Sequence, residues 1–194
     1  MKFGVKMGFK GVASLVVAAL LSACATAPPA VQAPVVLERQ GRFALKVQSP
    51  YEQPKAVQGN FRWQQSQLGW VMSLSGPMGA TLARLSVDDS GALLQSPEAP
   101  DQRASSATAL LQKILGEPVP VDALQDWIRG RMGEGQGITA VTRDESGRVT
   151  SFKQRGWTVT FARYDDVGPT RMVLANPLRG REVELRLVVD ASIR

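Results

Sequence analysis

Few side chains in this sequence can carry covalent chemistry, and the one that stands out is a lone thiol. Cys24 is the only cysteine among 194 residues, and histidine is absent. That removes Ser-His and Cys-His nucleophile pairs, the usual zinc ligand sets and the commonest general acid or base. Adjacent carboxylates occur at Asp88-Asp89, Asp144-Glu145 and Asp165-Asp166, each beside the Ser, Gly or Val-Gly of a turn, so they read as hairpin corners. Gly133, Gly135 and Gly137 are followed by no Gly-Lys-Ser/Thr, which makes that stretch a loop and not a phosphate cradle. The expectation is a protein that is not an enzyme, with no metal and no cofactor. The chemistry that remains is acylation of the Cys24 sulfur.

The surroundings of Cys24 suit that chemistry. Lys2, Lys6 and Lys10 precede an apolar run from Gly11 to Ala23. The run is shorter than the about 20 residues needed to span a bilayer core, and it reads as the apolar region of a signal peptide. Leu21-Ser22-Ala23-Cys24 resembles the lipobox cut by bacterial lipoprotein signal peptidase. The alternative is an ordinary secretory signal with an incidental cysteine. The expected organisation is a signal peptide over 1–23, a lipidated Cys24 with a Pro-rich tether over 24–36, and a single domain over 37–194. Residue 25 is Ala, and resemblance to the enterobacterial sorting rule then implies a lipid anchor in the outer membrane, facing the periplasm. Loss of the three signal lysines leaves 20 basic against 17 acidic residues, a net charge of +3 in place of +6. Arginines are spread from Arg39 to Arg194 without a basic run, so they read as a solvated surface and not as a nucleic-acid site.

Most of the remaining chain alternates with the two-residue period of half-buried strands. Phe43, Leu45 and Val47 share one face, as do Val57, Gly59, Phe61 and Trp63, and then Trp70, Met72 and Leu74. Gly76-Pro77-Met78-Gly79 interrupts, Leu82–Val87 resumes, and Leu93-Leu94 forms a short further strand. The period then changes. Ala107, Leu110, Leu111, Ile114 and Leu115 make one helical stripe, with Ser105 or Ser106 as its cap and Gly116 with Pro118 as its stop. A shorter helix fits Asp122–Arg129, with Asp122 and Gln125 as a capping pair. Strands return at Val149–Gln154, Trp157–Tyr164, Arg171–Ala175 and Glu182–Val189, the last two joined through Asn176-Pro177 and Arg179-Gly180. About nine strands and two short helices predict one curved antiparallel sheet with helices over its concave side. Such a sheet either rolls up around its own side chains or leaves a cavity, and the pattern alone does not choose.

A set of ordered segments resembles the LolB family of outer-membrane lipoprotein receptors. It comprises Gly41-Arg42-Phe43, Gly59-Asn60-Phe61-Arg62-Trp63-Gln64, Gly76-Pro77-Met78-Gly79-Ala80-Thr81, Leu115-Gly116-Glu117-Pro118-Val119-Pro120, Leu124, Trp127-Ile128-Arg129-Gly130, and Gly156-Trp157 with Tyr164. The resemblance implies an unclosed antiparallel β-barrel whose open, concave side is covered by helices, of the LolA/LolB kind. It implies a monomer that takes acylated lipoprotein cargo from the periplasmic carrier LolA and places it in outer-membrane lipid. Exposed acyl chain costs about 0.8 kcal/mol per CH₂, so three chains of about fifteen methylenes cost on the order of 35 kcal/mol in water. A cavity that shelters them solves the transfer without covalent chemistry.

Phe43, Leu45, Phe61, Trp63, Met72, Leu74, Leu111, Ile114 and Trp127 are the expected cavity lining, although each also serves as an ordinary core residue. Pro77, Met78 and Gly79 correspond to the family's protruding loop, where an apolar residue, commonly Leu, hands lipid to the membrane; here it is Met. The alternative for the loop is a hairpin whose Met78 folds back onto the sheet. The competing readings for the whole chain are a structural or adaptor envelope lipoprotein that binds a protein or glycan, and a tethered carrier.

Overall fold

Alternation of apolar and polar residues sets the direction of each side chain, and antiparallel pairing joins the strands edge to edge. The computed structural model describes residues 34–115, 119–133, 137–178 and 180–190. The expected signal peptide, Cys24, most of the tether, Gly116 to Pro118 and Gly135 lie outside the described residues. The strands are β1 (Leu37–Ser49), β2 (Glu52–Ser66), β3 (Gly69–Ser75), β4 (Thr81–Asp88), β5 (Gly91–Ser96), β6 (Ala99–Ala104), β7 (Ile138–Arg143), β8 (Val149–Gln154), β9 (Trp157–Tyr164), β10 (Pro169–Leu178) and β11 (Arg181–Val189). They form one sheet in the order β6-β5-β4-β3-β2-β1-β11-β10-β9-β8-β7, with every recorded pairing antiparallel.

The two edge strands are β6 and β7, so the barrel is unclosed as expected. They are also consecutive strands in the chain, and the segment between them carries both helices, α1 (Ala107–Leu115) and α2 (Leu124–Trp127). That segment therefore runs from one edge of the sheet to the other. α1 packs on β5 and β6, while Trp127 of α2 meets Phe152 of β8 edge to face, with ring centroids 6.0 Å apart. A helical strap across the open seam follows from the connectivity.

Two strands escape the periodicity. β6 reads APDQRA and β7 reads ITAVTR, polar sequences without a clean apolar face. β7 also carries register shifts and a positive φ at Ala140, which break its alternation. Edge strands need only one partner and little burial, which is why their sequences look like loops. Asn176-Pro177, expected to form a turn, instead lies within β10, where Asn176 pairs with Val183 and is buried.

The helical strap is tied together by polar caps. Ser106 Oγ accepts from the Ala109 N–H at 3.1 Å, as a cap should. Asp122 does not cap its own helix: its Oδ2 accepts the Thr108 N–H at 3.2 Å, at the start of α1. Its carboxylate neutralises the positive end of the neighbouring helix. The expected helix over Asp122–Arg129 is accordingly reduced to a 3₁₀ turn at Val121–Ala123 and the short α2, tightening again through Arg129 and Gly130 N–H bonds three residues back.

Sharp coiling of the central strands depends on glycine. A Cβ on Gly41 would lie 2.0 Å from the Val188 carbonyl oxygen, and one on Gly59 would lie 2.0 Å from that of Ser75. We expect Gly41→Ala to lower stability by about 2 kcal/mol or more, a fall in Tm of roughly 5 °C. An unchanged thermal melt would show that β1 and β11 separate freely at this point.

Arg39 overturns the reading of all arginines as solvated. It occupies an inward position of β1 and is 2% exposed. Its Nη1 donates to both Asp165 oxygens, at 3.0 and 2.8 Å, and its Nη2 donates to the Pro169 carbonyl at 3.1 Å. The β9–β10 turn that supplies these acceptors also packs on the strap, since a Cβ on Gly168 would meet the Ile128 carbonyl oxygen at 2.6 Å. Burial tends to raise the Asp165 pKa, but the Arg39 hydrogen bonds, the Gly168 and Val167 N–H groups and the Arg39 charge outweigh it and hold it below the usual carboxylate value. A depressed folded-state pKa contributes stability above the unfolded value of about 3.9, and that contribution is lost as pH falls through the folded value. Asp165→Asn should cost about 2–3 kcal/mol at neutral pH, below a fully buried pair because Asp165 keeps 23% of its side chain in solvent. The difference from the parent protein should shrink in melts taken from pH 7 towards pH 3; a constant difference would assign the loss to packing alone.

Candidate functional site

Inward residues of neighbouring strands line up in rows. One row runs Arg39, Trp63, Met72, Leu85, Leu94 across β1 to β5. Another runs Leu45, Leu185, Leu174, Val159, Phe152 across β1, β11, β10, β9 and β8. Together with the strap they form the apolar concave face.

The nine expected lining residues divide by depth. Phe43, Phe61, Trp63 and Trp127 are buried. Met72, Leu74 and Leu111 are half-buried and pack against that core. Leu45 is half-buried, opposite Leu185 on one side and Val57 on the other. Ile114 stands apart at 36% exposure, although it lies on the same helical stripe. Ala107 and Leu110, in the first turns of this nine-residue helix, are buried, whereas Ile114 lies near its end.

Several residues of this face stand outside the nine expected lining positions. Trp70 stacks on Trp63 with ring centroids 4.4 Å apart. Phe152, Phe161 and Tyr164 continue from Trp127 as a chain of edge-to-face contacts at 5.7 and 6.4 Å. Half-buried Val183 and Leu185 widen the face on β11. All of them but Tyr164, which follows the positive-φ residue Arg163 out of phase with Phe161, keep the two-residue alternation, so the signal was present in the second half of the chain as well as the first.

The loop between β3 and β4 is a defined turn. Gly79 N–H donates to the Gly76 carbonyl at 2.9 Å, and Gly76 N–H donates to the Ala80 carbonyl at 2.8 Å. Pro77 and Met78 occupy its two corners, and Gly79 closes it in the left-handed conformation, at φ +86°. Asn60 Nδ2 braces it by donating to the Gly76 carbonyl at 3.3 Å. Met78 is 98% exposed and does not fold back onto the sheet.

Two surface concavities lie elsewhere. One of about 320 Å³ is bordered by polar groups including Gln40, Asn60, Arg62 and Asp190, and of the nine expected residues only Phe61 touches it. The other, of about 280 Å³, lies between the β2–β3 and β4–β5 turns and Asp122. The paired carboxylates are turn formers, as expected. Hydrogen bonds from Ser90 lower the Asp88 pKa; burial would raise that of Asp144, but Arg148 and Ser146 hold it down.

The interior also holds polar atoms without hydrogen-bond partners among the described residues: Arg39 Nε, Trp63 Nε1, Trp127 Nε1, Gln65 Oε1 and Gln154 Oε1.

Comparison with known proteins places this geometry. The family model described as outer membrane lipoprotein LolB matches residues 37–191. The outer-membrane lipoprotein LolB of Bordetella petrii is 36% identical over 174 residues, covering 89% of this chain and 87% of that protein. That of Cupriavidus necator is 34% identical over 179 residues, covering 88% and 90%. A crystal structure of a LolA superfamily protein from Nitrosomonas europaea, 11% identical, superposes with a TM-score of 0.43 over 81% of this chain and 87% of that one. With the match spanning the sheet, the strap and the Met78 loop together, this chain belongs to the outer membrane lipoprotein LolB family.

Proposed function

We propose that this protein is a lipid-anchored outer-membrane lipoprotein that receives acylated lipoproteins from the periplasmic carrier LolA and releases them into the membrane. The observation that carries the reading is the pairing of an apolar concave face with a fully exposed Met78 on a braced loop, in a chain of the LolB family. Cargo acyl chains enter against Leu45, Met72, Leu74, Leu111 and the buried aromatics behind them, between the sheet and the strap. Shielding from water supplies the affinity, and the same shielding in a bilayer removes the chains again.

Met78 gives the transfer a direction. A solvent-exposed thioether side chain on a turn fixed by Pro77 and Gly79 is ready to enter the acyl boundary of a membrane at little entropic cost. Acylation of Cys24 and the tether over 24–36 keep the domain within reach of that membrane while it collects cargo from the periplasm. The adaptor reading, in which the sheet binds a protein or glycan, accounts for neither the loop nor the family match.

The protein with Cys24→Ala should accept lipoprotein from loaded carrier in solution, read by co-purification. Within that background Met78→Glu should fold and accept cargo as before, and should lose delivery to liposomes by about tenfold or more. Failure to take cargo from the carrier would end the receptor reading. Undiminished delivery by Met78→Glu would remove the loop from the mechanism.

A further inference from the structure

An interior built only to shelter hydrocarbon has no use for unpaired N–H groups, and leaving one buried costs about 1–3 kcal/mol. Trp63 is fully buried, and its Nε1–H meets no acceptor among the described residues. Its direct cross-strand partner is Arg39, whose Nε–H is also unpaired. Trp127, on the strap, repeats the situation at 1% exposure. Trp157 shows that this fold can satisfy an indole: its Nε1 lies 3.0 Å from the Asn176 amide oxygen in the amide orientation that pairs both groups.

We propose that Trp63 Nε1 and Arg39 Nε form a polar subsite inside the apolar face that receives an ester carbonyl oxygen of the cargo's diacylglyceryl group. This rests on the receptor reading above and specifies which part of the lipid is recognised. Three features favour an ester. The groups at Trp63 and Arg39 are donors, so the ligand atom they take is an acceptor. The Arg39 charge is already matched by Asp165 at 2.8 Å, so the subsite suits a neutral acceptor more than a phosphate or carboxylate. Half-buried, flexible Met72 lies directly opposite Trp63 on β3, so the route to the indole passes a side chain able to move. The orphan acceptors Gln65 Oε1 and Gln154 Oε1 take no part, since an ester offers them no proton.

The test compares lipids that differ only in their carbonyls. The Cys24→Ala protein is loaded with a fluorescent fatty acid, which is then displaced by 1,2-dipalmitoylglycerol or by its dialkyl-ether analogue of the same chain length. The ester should bind about five-fold more tightly, the ratio expected of one net hydrogen bond. Trp63→Phe, which keeps an aromatic ring on Trp70 and removes the donor, should bring that ratio close to one, and the ratio cancels any change in apolar packing that both lipids feel alike. Equal affinity of the parent protein for the two lipids overturns the subsite, as does a ratio that survives Trp63→Phe. If that variant fails to give a cooperative melt, the parent's ester-to-ether ratio decides. Displacement by neither lipid overturns the receptor reading itself, and the subsite with it.

Discussion

A sheet of eleven strands with one apolar face cannot leave that face in water, and the rest of this structure answers that constraint. At roughly 1.5–3 kcal/mol for each large apolar side chain buried, residues such as Phe43, Phe61, Trp63, Phe152 and Trp157 supply a large share of the stability. Curling the sheet covers part of the face, and the close strand approaches at Gly41 and Gly59 allow the curl. What curling leaves open is the seam between β6 and β7, and the chain crosses that seam itself with α1 and α2. Cover and seam are therefore one connected piece of chain, anchored at both ends in the sheet that it covers.

That cover is held by few and specific contacts. Asp122 joins the short second helical segment to the start of α1. Trp127 plugs onto Phe152, and the β9–β10 turn, pinned by Arg39 through Asp165 and Pro169, sits against Ile128 and Arg129. Elements that move to admit a ligand come from the less strongly held parts of a fold. A strap of short helices on a continuous antiparallel sheet has that division built in: ladder hydrogen bonds fix the sheet, and side-chain contacts fix the strap.

The proposed transfer rests on a gradient of polarity along one molecule. The deep interior combines aromatic bulk with a matched charge pair and spare N–H groups. The half-buried Leu45, Met72, Leu74, Val183 and Leu185 form a softer apolar layer in front of it. Met78 stands in solvent on a turn that Asn60 holds. In the proposed transfer, a lipid moving outward along this series would meet residues of decreasing depth.

The sequence by itself determined the strand faces, the first helix with a cap at Ser105 or Ser106, and the turn character of the acidic pairs. These are local properties, written in a period of two or 3.6 residues and in turn chemistry. The edge strands β6 and β7 were not legible, because a strand paired on one side needs no apolar face. Nor were the burial of Arg39, the loan of Asp122 to another helix and the exposure of Ile114. Arg39 meets Asp165 across 126 residues and Asp122 meets Thr108 across 14, relations that carry no periodic signal. Met78 was decided on both levels. Its apolar type between Pro77 and Gly79 marked it in the sequence, but only the folded turn, with its hydrogen bonds from Gly79 to Gly76 and from Gly76 to Ala80, determines that its side chain points into solvent.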